Sequence, residues 1–261
     1  VTDEWRALHI GEEPLVDIPN PRVIHIGDRR ARPRSEPRTA EGRRAEARRG
    51  FLRRVVAYLA ADTRIRQFVD LGSRLPAGDG IADTARAHAP DARVVYVDTD
   101  ATRALHAPAQ AGGGAVPVVT APSLRPAALL DRLADRGVID FTAPVAVLLT
   151  DTAPLRRDGV LPHDLVRALH TALPGGSHIA VAQRVAPDGD TTADAHSREL
   201  AAAVLEPFTL IEPGLADIAW WPYPDEEVTA EGTGILAGVG RKDTDHPAGP
   251  GGRPGPARGS T

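Results

Sequence analysis

The chain contains no cysteine, and lysine occurs once, at Lys242. Without cysteine there is no disulfide and no thiolate-ligated metal site, which fits a reducing compartment. No run of about 18 consecutive apolar residues occurs, so no membrane-spanning helix is expected. The opening residues Val1-Thr2-Asp3-Glu4-Trp5 lack the basic and apolar regions of a secretion signal. Together these absences give the expectation of a cytoplasmic protein. Charge of one sign is scarce too: the formal net charge is −4 over 261 residues. Neither nucleic acid nor an anionic membrane is therefore an expected partner. Aromatic residues make up only 4%, and two of the three tryptophans are the adjacent Trp220 and Trp221. The near-total use of arginine over lysine, with abundant Ala, Gly and Pro, reads as a codon bias rather than as selection for a binding task.

What is present centres on Phe68-Val69-Asp70-Leu71-Gly72-Ser73-Arg74. An apolar run ends in an acid and a glycine, and a loop with Gly78 and Gly80 follows. A helical pattern comes next, with Ile81, Ala82, Ala85 and Ala89 on one face. The next apolar run, Arg93–Val97, ends in Asp98. Strand, glycine turn, helix, strand and acid form the layout of a nucleotide-binding βαβ unit. A glycine lets the backbone approach a ligand closely, and a helix N-terminus offers unpaired N–H groups to an anionic group. An acid at the second strand end can accept hydrogen bonds from both ribose hydroxyls. The glycine spacing does not match G-x-G-x-x-G, because Gly72 is followed by Arg74 and Ala77. That argues against a nicotinamide dinucleotide.

Around this unit the chain divides into three stretches. Residues 1–50 are expected to be an N-terminal arm and a basic linker. Pro14, Pro19 and Pro21 break helices there, and the arginines of residues 29–49 are diluted by Glu36, Glu41 and Glu46. Residues 51–242 are expected to form one Rossmann-like domain. Its helices are marked by Phe51, Leu52, Val55, Val56 and Leu59, then by Leu129, Leu130 and Leu133, and by Leu165, Val166, Leu169 and Leu173. Thr192–Val204 adds an alanine-rich helix. Strands are expected over Ala115–Thr120, Ala143–Leu149, Ser177–Gln183, Phe208–Ile211 and Gly234–Val239, the last two including an antiparallel hairpin. Pro117 removes a ladder donor and puts its strand at an edge. The Trp220-Trp221-Pro222-Tyr223-Pro224 loop either covers the sheet or lines a substrate pocket. Residues 243–261 lack periodicity and are expected to be a disordered tail.

Several segments resemble, in order, a family of S-adenosylmethionine (SAM)-dependent methyltransferases typical of actinobacteria, formerly a domain of unknown function. They are Pro19–Val23, Phe51–Leu59, Ile65–Ser73, Ala89–Asp98, Pro144–Leu149, Ile211–Leu215 and Gly238–Lys242. The resemblance spans roughly residues 19–242 and is tightest in the first βαβ unit. It implies an α/β class I methyltransferase fold, a doubly wound, mostly parallel sheet with a late antiparallel strand. It also implies SAM as cofactor and a small-molecule or unidentified methyl acceptor, with no metal.

The cofactor-binding residues so implied are Asp70, Gly72, Ser73, Asp98, Thr99, Ser123 and Asp151. Asp98 would hold the ribose hydroxyls, and Gly72 and Ser73 the methionine end or the ribose. Methyltransferases of this class place an acid after the third strand to bond the adenine amino group. Here that loop reads Thr120-Ala121-Pro122-Ser123, and Ser123 is its polar substitute. Asp151 follows the strand Ala143–Leu149, where it competes between a site role and a helix-capping role. Arg74 stands where the family has a second glycine. That departure and the missing acid keep an alternative open: a methyltransferase fold that has lost catalysis and serves as a binding or regulatory module.

Overall fold

A computed structural model describes residues 39–71, 80–99, 117–185, 191–224 and 232–244. The first element, α1 (Ala40–Ala61), is capped by Thr39, whose Oγ accepts from the Gly42 amide at 3.0 Å. The helix begins well ahead of the Phe51-led apolar run, because the preceding Ala, Arg and Glu residues are all good helix formers. It therefore crosses the expected boundary at residue 50. Its buried stripe is Phe51, Leu52, Val55, Val56 and Leu59, the one that helical spacing predicts.

The strands are β1 (Gln67–Leu71), β2 (Arg93–Asp98), β3 (Val118–Thr120), β4 (Val145–Leu149), β5 (His178–Arg184), β6 (Thr209–Leu210), β7 (Ala216–Asp217) and β8 (Ile235–Arg241). The helices after α1 are α2 (Ile81–His88), α3 (Pro126–Asp135), α4 (Ala153–Arg157), α5 (Pro162–Ala172) and α6 (Thr191–Leu205). The sheet runs in the order β3-β2-β1-β4-β5-β8-β6, with β7 pairing to β8 off this path. The first five are parallel, and β8 enters antiparallel to β5, as do β6 and β7 to β8. This is the doubly wound sheet with a late antiparallel strand. Phe68–Leu71, Val94–Val97 and Val145–Leu149 are adjacent parallel strands, as their short apolar runs predict. β3 lies at the sheet edge, with Pro117 just before it.

Alternate residues of each strand feed two cores. On one face Phe68, Val94, Tyr96, Leu148 and Val239 meet α1 and α2. On the other, Val69, Val95, Val147 and Val181 meet α3, α4, α5 and α6. Trp221 settles the tryptophan loop as cover: it is 1% exposed. Its ring stands edge-on to Phe51 and Tyr58, with centroids 5.5 and 6.3 Å away. Arg54 of α1 holds that loop from below. Its Nε donates to the Trp221 carbonyl at 2.6 Å, and its Nη2 to those of Ile218 and Ala219 at 2.8 and 2.9 Å. Burial, with the charge of Arg53 adding to it, lowers the Arg54 pKa to about 10. The single lysine, Lys242, donates to the last carbonyls of α5, His170 at 2.6 Å and Leu173 at 2.8 Å. A cation there also suits the negative end of the helix dipole.

At the amino end of β5, Tyr58, Asp62, Thr63, His178, Arg241 and Asp243 line a cleft of about 600 Å3. His178 is 3% exposed, and its Nδ1 has no partner among the described residues. Burial lowers its pKa to about 4, with a partial offset from the Gly176 carbonyl and a further lowering by Arg241.

Three stability measurements test this packing. At Gly240 an added Cβ would lie 2.6 Å from the Cβ of Phe208, an anchored atom. Gly240→Ala should destabilise by about 1–3 kcal/mol in urea unfolding. Gly238→Ala should cost less, because its nearest contact, at 2.8 Å, is the tip of Leu215. Arg54→Lys keeps the charge but cannot span three carbonyls, and a loss of about 2–4 kcal/mol is expected. For His178, the unfolded chain binds a proton more readily than the folded one. Stability is full above the unfolded value of 6.5 and falls as pH drops towards about 4, by roughly 3 kcal/mol at most. Unfolding curves across that window should be flatter for His178→Asn than for the wild type.

Candidate functional site

In an open α/β sheet, ligands bind beyond the carboxyl ends of the parallel strands. Here those ends are polar. Asp70, the penultimate residue of β1, is 1% exposed. Asp98 closes β2. Asp70 lies in register with Tyr96, so the alternation of side chains puts Asp70 and Asp98 on the same face, that of α1 and α2. Thr150, just past β4, falls on that face as well and is 1% exposed. Gly80, at φ 81°, opens α2 close by, in a left-handed conformation that suits glycine.

Unpaired polar atoms gather at this end. Among the described residues, the Thr150 Oγ, the Arg48 Nε and the Gln183 Oε1 are buried without hydrogen-bond partners. Thr150 leaves β4, Gln183 lies near the end of β5, and Arg48 reaches over from α1. Arg44, one turn earlier on α1, donates from Nε to the Thr233 carbonyl at 3.1 Å. That carbonyl sits just ahead of Ile235, the register partner of Arg184. Burial lowers the Arg48 pKa; the Asp151 carboxylate offsets part of this, and the Arg184 charge adds to it. Groups left unsatisfied in this way have the chemistry to be completed by a ligand. S-adenosylmethionine carries an ammonium and two ribose hydroxyls, donors of the kind that the strand-end acids accept from.

Three elements meet beyond the ends of β2 and β3. The Asp98 carbonyl accepts from the Ala121 amide at 2.9 Å, so the β3 exit loop begins beside the β2 end. The Thr99 Oγ accepts from the Arg157 Nη2 of α4 at 2.8 Å. Asp158, which follows α4, accepts from the Leu124 amide through Oδ2 at 2.8 Å. The α4 end is thereby tied to both neighbouring loops. The Ser123 Oγ accepts from the Arg125 amide at 3.1 Å and so serves its own turn. The Asp151 Oδ1 accepts from the Ala153 amide at 3.0 Å, a local turn bond at the entry to α4.

Asp70, Asp98, Thr99, Ser123 and Asp151 thus share the carboxyl end of the sheet. Gly72 and Ser73, with Arg74, lie outside the described residues. Arg48, Thr150, Gln183, Arg157 and Asp158 were not singled out from the sequence as site residues. Arg48 is hidden in an arginine-rich stretch that composition reads as solvated. Asp158 sits in a segment without periodicity, and only its bond to Leu124 reveals it. The cleft beside His178 lies at the opposite, amino end of β5 and is remote from these groups.

Comparison with known proteins agrees with this geometry. The S-adenosyl methyltransferase family matches residues 27–243. A solved structure of a candidate methyltransferase from Thermobifida fusca is 29% identical over 78% of this chain and 83% of that one, with a TM-score of 0.62. A DUF574 family protein from Streptomyces avermitilis is 28% identical over 76% and 83%, with a TM-score of 0.61. No curated protein matches the chain. Sheet order, strand-end acids and a family match over most of the length converge: the chain belongs to the S-adenosyl methyltransferase family, and its cofactor is S-adenosylmethionine.

Proposed function

We propose that the protein transfers the SAM methyl to a small-molecule acceptor at the carboxyl ends of β1, β2, β4 and β5. In this reading Asp98 accepts from the ribose hydroxyls. Asp70, Gly72 and Ser73 hold the methionine end, with Thr99, Ser123 and Asp151 around the rest of the cofactor. The acceptor then lies over the end of β4, between Arg48 and Thr150. The observation that carries this reading is the gathering of buried, unsatisfied polar atoms at that end. Such atoms are costly unless a ligand completes them.

When bound, SAM supplies an electrophilic methyl group on a sulfonium. The chain's task is to hold the acceptor nucleophile in line behind that methyl and to keep water out, and orientation of this kind can supply much of the acceleration. Residues 51–242 are proposed as the methyltransferase domain, with residues 1–50 as an arm that α1 joins to it and residues 243–261 as a tail. Asp243 already contacts the domain, since its Oδ2 accepts from the Thr209 Oγ at 2.9 Å. Among the described residues no helix is long and apolar enough to cross a membrane, and a cytoplasmic site of action is part of the proposal.

The ribose contact is the point to test. Two charge-assisted hydrogen bonds are worth roughly 1.5–3 kcal/mol each. Asp98→Ala should therefore weaken the binding of S-adenosylhomocysteine, read by calorimetry, by at least about tenfold. Equal affinity in the two proteins would remove Asp98 from the site.

A further inference from the structure

The cofactor carries an adenine, and the loop that would present a carboxylate to its 6-amino group has none. Thr120, Ala121, Pro122, Ser123, Leu124 and Arg125 include no acid, and of the two hydroxyls, Thr120 and Ser123, that of Ser123 accepts from the Arg125 amide. A carboxylate is nevertheless present at this loop, brought by another element. Asp158, at the C-terminal end of α4, accepts from the Leu124 amide through Oδ2 at 2.8 Å. Its Oδ1 makes no hydrogen bond among the described residues. We propose that Asp158 is the adenine-recognising acid of this protein, supplied from the β4 side of the site in place of the β3 loop.

The placement follows from the strand order and rests on the ribose assignment of Asp98. β2 lies between β1 and β3 in the sheet. With the ribose at the end of β2 and the methionine arm turned towards β1, the base must leave the ribose on the β3 side. The groups there form one bonded circuit. Arg157 donates to Thr99, the neighbour of Asp98; the Asp98 carbonyl accepts from Ala121; and three residues on, Leu124 donates to Asp158. The Asp158 carboxylate is therefore fixed at the β3 loop by one oxygen while the other is left open. An ionised carboxylate only accepts hydrogen bonds. It suits the amino group at position 6 of adenine and opposes the carbonyl at the same position of hypoxanthine. A site built to hydrogen-bond one group discriminates strongly against an analogue that lacks it.

The test compares S-adenosylhomocysteine with S-inosylhomocysteine on the full chain by calorimetry. The wild type should bind the adenine compound at least about tenfold more tightly. Asp158→Asn retains an oxygen for the Leu124 amide but turns an NH2 towards the base. It should lower that preference by about tenfold or more while leaving the melting temperature nearly unchanged. Asp158→Ser, which keeps a smaller acceptor, should also lower the preference and serves if the Asn variant folds poorly. A wild type without preference, or an equal ratio in wild type and variants, would overturn the proposal and leave Asp158 as a tie for the β3 loop. Either result with S-adenosylhomocysteine still bound leaves the proposed cofactor site standing. No binding of S-adenosylhomocysteine by the wild type would overturn both.

Discussion

A parallel sheet must be covered on both faces, because its strands alternate apolar side chains to each side and its crossovers are helices. Here β1, β2, β4 and β5 are buried front and back, and most other features follow from that demand. α3, α4, α5 and α6 cover one face. Among the described residues the other face has fewer covering helices, α1 and α2, and the Ile218–Trp221 loop packs there over β5 and β8. Loops carry carbonyls that a core must satisfy. Arg54 does this from α1, with three donor bonds from one planar guanidinium, and Trp221 packs into the space beside it. Helix and loop are interdependent: without the loop Arg54 would be a buried unpaired cation, and without Arg54 the loop would bury bare carbonyls.

The same constraint defines the site. Strand interiors are apolar, so the polar groups that a nucleotide needs can enter only where strands end. Asp70, Asp98, Thr150 and Gln183 all stand at or near such ends, and α1 adds Arg48 over them. α1 is therefore a cover for the core and, in the proposed reading, also a wall of the site. Its arginines divide that labour by position: Arg54 is satisfied by backbone, Arg44 holds the approach to β8, and Arg48 has a buried donor left over. Composition alone assigns these residues a common origin and no individual role.

The loops after β2, β3 and β4 are tied together by side chains from distant segments. The β3 loop carries no acid, yet α4 is tied to that loop by Asp158 and to the β2 end by Arg157. The short helix thus spans the strand ends on either side of β1. The site is assembled from loops after β2, β3 and β4, each contributing one or two side chains and leaning on the others. The lost catalysis that the missing acid suggested is not required by this geometry.

The sequence by itself determined the sheet and its direction. Short apolar runs followed by helical periodicity require parallel strands joined by crossovers, and an acid at the end of such a run must lie at the ligand-binding edge. Asp70 and Asp98 were legible for that reason, as was the apolar stripe of α1. Only the tertiary structure decided that Arg54 is satisfied by backbone carbonyls while Arg48 keeps a buried unpaired donor, since both lie on one helix and differ only in what packs against them. It also decided that Trp221 covers the core, that Lys242 caps α5, and that Asp158 stands at the β3 loop. Each of these depends on contact between segments far apart in the chain, and periodicity, which reports only a residue's own element, contains no record of such contacts.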